Sequence, residues 1–144
     1  MEYSHTQKVP ENVLAVATIA GLALGLTPPG WILRFLTMGV LGAAALNFRS
    51  LTVSVDSEKI RVQYGDGPIK KSFPLDGISA VQPIRTSPIM GWGIHYVGAG
   101  WLFNVYGLDA VEITYANGKK IFIGTDEPHV LTSAINKRIG KDPG

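Results

Sequence analysis

Residues 9–48 read VPENVLAVATIAGLALGLTPPGWILRFLTMGVLGAAALNF, and the fold turns on how this stretch is read. Between Asn12 and Arg49 the only ionisable side chain is Arg34. The run breaks once, at Thr27-Pro28-Pro29-Gly30. Both prolines lack the amide hydrogen a helix needs, and glycine accommodates the turn. Two apolar segments result, at about 9–26 and 31–48. Each would span about 27 Å as a helix, the thickness of a thin hydrocarbon core. Neither shows the stepped polar face of a surface helix. Small residues recur, and Gly21-x-x-x-Gly25 has the spacing that lets helix backbones approach closely. The stretch therefore predicts a transmembrane helical hairpin, which with the short tail before it makes residues 1–48 a membrane unit.

The flanks predict an orientation. Lys8 precedes the first segment, and Arg49, Lys59 and Arg61 follow the second, while the turn between them carries no charge. The positive-inside bias places both ends in the cytoplasm. Trp31 is an interfacial anchor type, beside which Arg34 would snorkel outward, and Arg49 and Arg61 would meet headgroups. A cleaved leader is disfavoured, because the second segment would remain as an anchor.

The remainder, 49–144, has a different character, with eleven basic and nine acidic residues. Its apolar period is two. Leu51, Val53 and Val55 alternate with polar residues, Asp56-Ser57-Glu58 turns the chain, and Ile60, Val62 and Tyr64 alternate in return. Further strands are expected around 69–73, 78–85, 101–106 and 110–115, with an irregular stretch over 86–100. Asn117-Gly118 predicts a tight hairpin into a seventh strand at 119–123. Thr125 or Asp126 is expected to cap a closing helix at about 126–139, with Val130, Leu131, Ala134, Ile135 and Ile139 as its buried stripe.

Several short words in this order are more specific than strand counting: Gly91-Trp92-Gly93-Ile94, Gly100-Trp101-Leu102-Phe103-Asn104-Val105, Ala110-Val111-Glu112, and Ile123-Gly124-Thr125-Asp126-Glu127-Pro128. Together they resemble the bacterial PH-like (pleckstrin-homology-like) domain family in its membrane-anchored members, over roughly residues 50–139. His95 stands where that family often has arginine, and Glu127 where it often has aspartate. The resemblance implies an α+β chain: a transmembrane hairpin, then a seven-stranded antiparallel barrel or sandwich capped by a C-terminal helix. It also implies a bacterial inner membrane location, multi-pass, with the β domain cytoplasmic.

Composition narrows the chemistry. The 144 residues allow one ordinary domain, and a net charge of +2 with 17% charged residues gives no basic surface for nucleic acid. No cysteine is present, which removes disulfides, thiol nucleophiles and cysteine metal sites. His5, His95 and His129 lack ligand spacing, so no metal and no cofactor is expected. No nucleophile elbow, phosphate loop or paired-carboxylate pattern occurs. Trp92, His95, Tyr96, Trp101 and Asn104 are the candidate partner-binding residues, with Trp92 and Trp101 also suited to filling a core. Asn104, inside an apolar strand, is expected to hold the 86–100 loop or face a small pocket. In the PH-like domains the chain resembles, a phosphorylated headgroup is usually met at the first strand-to-strand turn; here that turn carries Asp56 and Glu58, which argues against phosphoinositide recognition.

The expected function is a non-enzymatic, membrane-anchored module whose groove or strand edge binds a protein partner or another copy of itself. The alternative is sensing of anionic lipid, with the bilayer itself as partner.

Overall fold

Alternation with period two organises most of the chain. In the computed structural model, which describes residues 2–91 and 93–141, nine strands form two sheets. The first sheet holds β1 (Tyr3–Lys8), β2 (Ser50–Val55), β3 (Lys59–Tyr64) and β4 (Lys70–Pro74) in that order, antiparallel throughout. The second holds β5 (Ile78–Arg85), β6 (Gly93–Tyr96), β7 (Gly100–Asn104), β8 (Asp109–Tyr115) and β9 (Lys120–Gly124), ordered β5-β8-β9-β7-β6. Three helices complete the fold: α1 (Glu11–Gly25), α2 (Trp31–Asn47) and α3 (Pro128–Arg138).

The core lies between the sheets. Leu51, Val53 and Val55 sit opposite Tyr64, Val62 and Ile60, and all six are buried. Val111, Ile113, Ile121 and Ile123 of the second sheet and Leu131 and Ile135 of α3 belong to the same buried cluster. Each such aliphatic side chain contributes about 1.5–3 kcal/mol by leaving water.

The expected transmembrane hairpin is corrected. Residues ahead of the apolar run form β1, which pairs with β2 from Tyr3↔Val55 to Lys8↔Ser50. That pairing draws Val9 into the core and its amide onto the Arg49 carbonyl at 2.9 Å. At the other end Phe48 leaves the helix to pack on Tyr64, ring centroids 4.8 Å apart. Both apolar segments thus lose their ends to the β fold. The helices keep 15 and 17 residues, about 22 and 25 Å of length against the ~30 Å of a hydrocarbon core. No helix among the described residues is long and apolar enough to cross a membrane. The multi-pass inner-membrane placement rested on those spans and is withdrawn with them.

The barrel expectation is corrected too. There are nine strands where seven were expected, and the sheets do not close: among the described residues no ladder joins an edge of one sheet to an edge of the other. The extra strands are β1 and β6, the latter inside the stretch expected to be irregular, after a single 3₁₀ turn at Pro88–Met90. The second sheet is also mixed, since β7 runs parallel to β9. Gly100 and Gly124 make that pairing close, because a side chain on either would fall on Lys120 or Asn104 of the neighbouring strand.

Candidate interaction site

Of the four edge strands, β1 carries Lys8, β4 carries Lys70, Lys71 and Pro74, and β5 carries Pro83 and Arg85. Charges and prolines of this kind blunt an edge against pairing with another chain. β6, with the sequence Gly93-Ile94-His95-Tyr96, has neither a proline nor a Lys, Arg, Asp or Glu. It is the unguarded edge among the described strands.

Local geometry sets β6 apart from the rest of its sheet. Gly91 and Gly93 have φ of +71° and +100°, conformations that side-chain-bearing residues rarely adopt, and they bend the chain into the strand. Asn104 fixes the bend: its Oδ1 accepts the Gly93 amide at 2.9 Å, and its Nδ2 donates to the Gly91 carbonyl at 3.3 Å. A third tie comes from the first sheet, where the Tyr64 hydroxyl donates to the Gly93 carbonyl at 3.4 Å. Burial pushes the Tyr64 phenol well above the usual tyrosine range, so it remains a donor.

Beneath β6 the sheets stand apart around a cleft of about 430 Å³. Tyr64, Phe73, Phe103 and Ile121 form an apolar floor, with Phe73 and Phe103 edge to face at 5.2 Å. Ile94 and Trp101 line its β6–β7 side. Lys70, Lys71 and Lys119 stand around it, and no ion pair among the described residues reaches their ammonium groups. The lining is thus mostly apolar, with three lysines among its residues.

The register of β6 on β7 sorts the sequence candidates. Residues directly opposite in an antiparallel pair share a face. Ile94 and Tyr96 therefore lie with Phe103 and Trp101 on the cleft side, while His95 and Asn104 share the other face with Leu102. Tyr96 and Trp101 meet edge to face at 5.9 Å, and both are exposed. The His95 Nε2 is buried and without a partner. Trp92, also a candidate, lies outside the described residues.

The three arginine candidates have partners of their own. Trp31 is exposed, and Arg34 beside it donates to the Pro28 carbonyl at 2.9 Å. Arg49 pairs with Asp66 at 2.7 Å and Arg61 with Asp56 at 2.8 Å. The expected cap is corrected. The helix begins one residue after Glu127, and no side chain caps it; the Thr125 hydroxyl accepts the Glu127 amide, and Asp126 turns to His5.

That turn creates a cluster the sequence reading missed. His5 Nε2 lies 2.6 Å from Asp126 and Nδ1 lies 3.4 Å from Glu127, while the Tyr3 hydroxyl donates to Glu127 at 2.6 Å. Burial first, and then the Glu127 carboxylate, push the Tyr3 phenol well above its ordinary range. Both ring nitrogens of His5 already face carboxylates, so none is left to serve a substrate. The cluster is a clamp between β1 and the start of α3. Its only sequence signal is the odd-position run Tyr3, His5, Gln7, which alternation alone does not connect to residue 126. No group of three His, Asp or Glu side chains among the described residues is arranged to hold a metal.

A second, larger cleft of about 600 Å³ separates the helical hairpin from β6. Ala17, Gly21, Leu41, Phe48, Ile94 and Val105 are among its lining residues, and no titratable side chain among the described residues lines it. Asn104, His95 and Asp126 do not converge there. Ile94 borders both clefts.

Compared with known proteins, the chain matches no family model and no curated protein sequence.

Proposed function

We propose that this chain is a non-catalytic association module that takes up an extended, acidic segment of a partner protein by strand addition to β6. The observation that carries the reading is the combination at one edge. β6 offers unpaired backbone groups, bears no charge or proline, and lies over an apolar cleft with three uncompensated lysines nearby. Main-chain hydrogen bonds to an edge supply affinity, and alternate side chains entering a pocket supply specificity. Apolar residues at every second position would meet Ile94, Trp101 and Phe103, and carboxylates near them would meet Lys70, Lys71 and Lys119. The PH-like resemblance over roughly residues 50–139 is compatible with a binding role but does not name the partner. Lipid sensing loses support, because Arg49 and Arg61 are engaged by Asp66 and Asp56.

The test uses the full chain and a synthetic peptide alternating valine with glutamate, against a control in which lysine replaces glutamate. The expected result is saturable binding of the acidic peptide, with amide perturbations confined to β6 and its surroundings. Lys71→Glu and Trp101→Ala should each weaken binding by roughly tenfold, the equivalent of ~1.4 kcal/mol. Equal binding of both peptides, or perturbation elsewhere than β6, would refute the proposal.

A further inference from the structure

The hairpin poses a separate question. Twelve large apolar side chains between Val16 and Leu46 are 48–78% exposed, Phe35 the most. They place on the order of 1,000 Å² of hydrocarbon in water, above the ~300–600 Å² patch of an ordinary monomer. That is the scale each partner contributes to a standard stable interface, about 800 Å². The surface also has a definite chemistry. The one ionisable group from residue 12 to residue 48, Arg34, is already turned onto the Pro28 carbonyl at the hairpin tip. A polar or charged partner helix would bury groups with nothing to pair them, at a desolvation cost.

We propose that α1 and α2 pack against the same two helices of a second copy of this chain, forming a four-helix bundle. An isologous pairing requires a surface complementary to itself, and a surface of aliphatic and aromatic side chains without charge meets that requirement. The hairpin is preformed for it. α1 and α2 run antiparallel and are seated on one another where Gly25 admits Met38 and Gly21 lies against Leu41. Antiparallel helices with uninterrupted apolar sides are the elements from which four-helix bundles are built. Val16 and Ile19 of α1 and Phe35, Val40 and Leu46 of α2 are the exposed positions available to the second copy. This inference concerns a different surface from β6, so either one can fail without the other.

The experiment measures the mass of the full chain by light scattering after size exclusion, over a roughly hundredfold range of concentration. A dimer that dissociates on dilution is expected. Val40→Glu should raise the dimer dissociation constant at least ~tenfold, the circular dichroism of the β fold staying unchanged. The natural chain has no cysteine, so single variants such as Val40→Cys and Phe35→Cys give a second readout independent of the glutamate variant. Oxidation should cross-link at least one of these positions, and leave Lys59→Cys on β3 uncrosslinked. A monomeric mass throughout overturns the inference, as does one chain per micelle with no cross-linking in detergent, or a dimer that Val40→Glu leaves intact.

Discussion

The His5 imidazole and the Asp126 carboxylate, 121 residues apart in sequence, meet at 2.6 Å and tie the first strand to the last helix. Tyr3 adds a parallel tie to Glu127. Both groups of the His5–Asp126 pair are partly exposed, at 31% and 57%, so solvent screens it. Asp126→Ala is expected to cost no more than about 1 kcal/mol overall. The cost should be local: amide exchange of Tyr3–Lys8 quickens while that of β8 does not. A global loss of protection in the variant would show that the clamp is a folding determinant.

Gly25 lies where Met38 leaves no room for a side chain. Gly25→Val should destabilise the hairpin by about 1–3 kcal/mol through overpacking. Gly39, in α2, has open space where a Cβ would be built. Gly39→Ala should stabilise by about 0.5–1 kcal/mol, as alanine in place of glycine does within a helix. Denaturant unfolding of the two variants should therefore move in opposite directions.

Asn104 is buried and satisfies the backbone on both sides of position 92. Asn104→Ala should cost about 1–3 kcal/mol, the penalty for leaving such groups unpaired. It should also loosen β6 and weaken peptide uptake. Asn104→Asp keeps an acceptor for the Gly93 amide but loses the donor to Gly91, and should fall between the two in both assays.

The phenols of Tyr3, Tyr64 and Tyr115 are held above their ordinary range, each chiefly by burial. A raised pKa means that the fold favours the protonated form. The resulting stability is complete below the ordinary tyrosine pKa of ~10 and is lost as pH rises through the folded value. Phenolate absorbance should accordingly show tyrosines ionising late, in step with alkaline unfolding. Tyr3→Phe should remove one of them and weaken the alkaline sensitivity of β1.

Asp56 behaves in the opposite sense. Its carboxylate accepts the Glu58 and Lys59 amides, both at 2.8 Å, and these bonds, with Arg61 beside them, hold its pKa below the usual value. Its stabilising contribution is present above the unfolded carboxyl pKa of ~3.9 and disappears as pH falls through the folded value. Asp56→Asn should flatten the acid limb of a stability profile. An unchanged acid limb would show that the β2–β3 turn holds without the charge.

Much of the β fold is legible in residue order. The β2–β3 hairpin appears where Leu51–Val55 and Ile60–Tyr64 alternate, β5 spans the expected 78–85, and the Asn117-Gly118 turn joins β8 to β9. Tyr96 lies opposite Trp101 in the β6–β7 register, while Asn104 lies opposite Gly93 at the other end of the ladder and on the other face. β1 was hidden because its polar residues, Ser4, His5, Thr6 and Gln7, carry no apolar alternation. β6 was hidden because four residues between glycines give a period too little length to register.

Composition and spacing by themselves determined where the chain turns, which segments are helical and which face of each central strand is apolar. These follow from the properties of single residues and near neighbours: proline without an amide hydrogen, glycine without a side chain, aliphatic groups recurring at a fixed period. Tertiary structure alone decided where the apolar helices end, that the sheets stay open, and that His5 finds Asp126. Each of these is a competition between distant segments. Val9 and Phe48 would extend a helix if left alone, yet they gain more by filling the core once β1 has paired with β2.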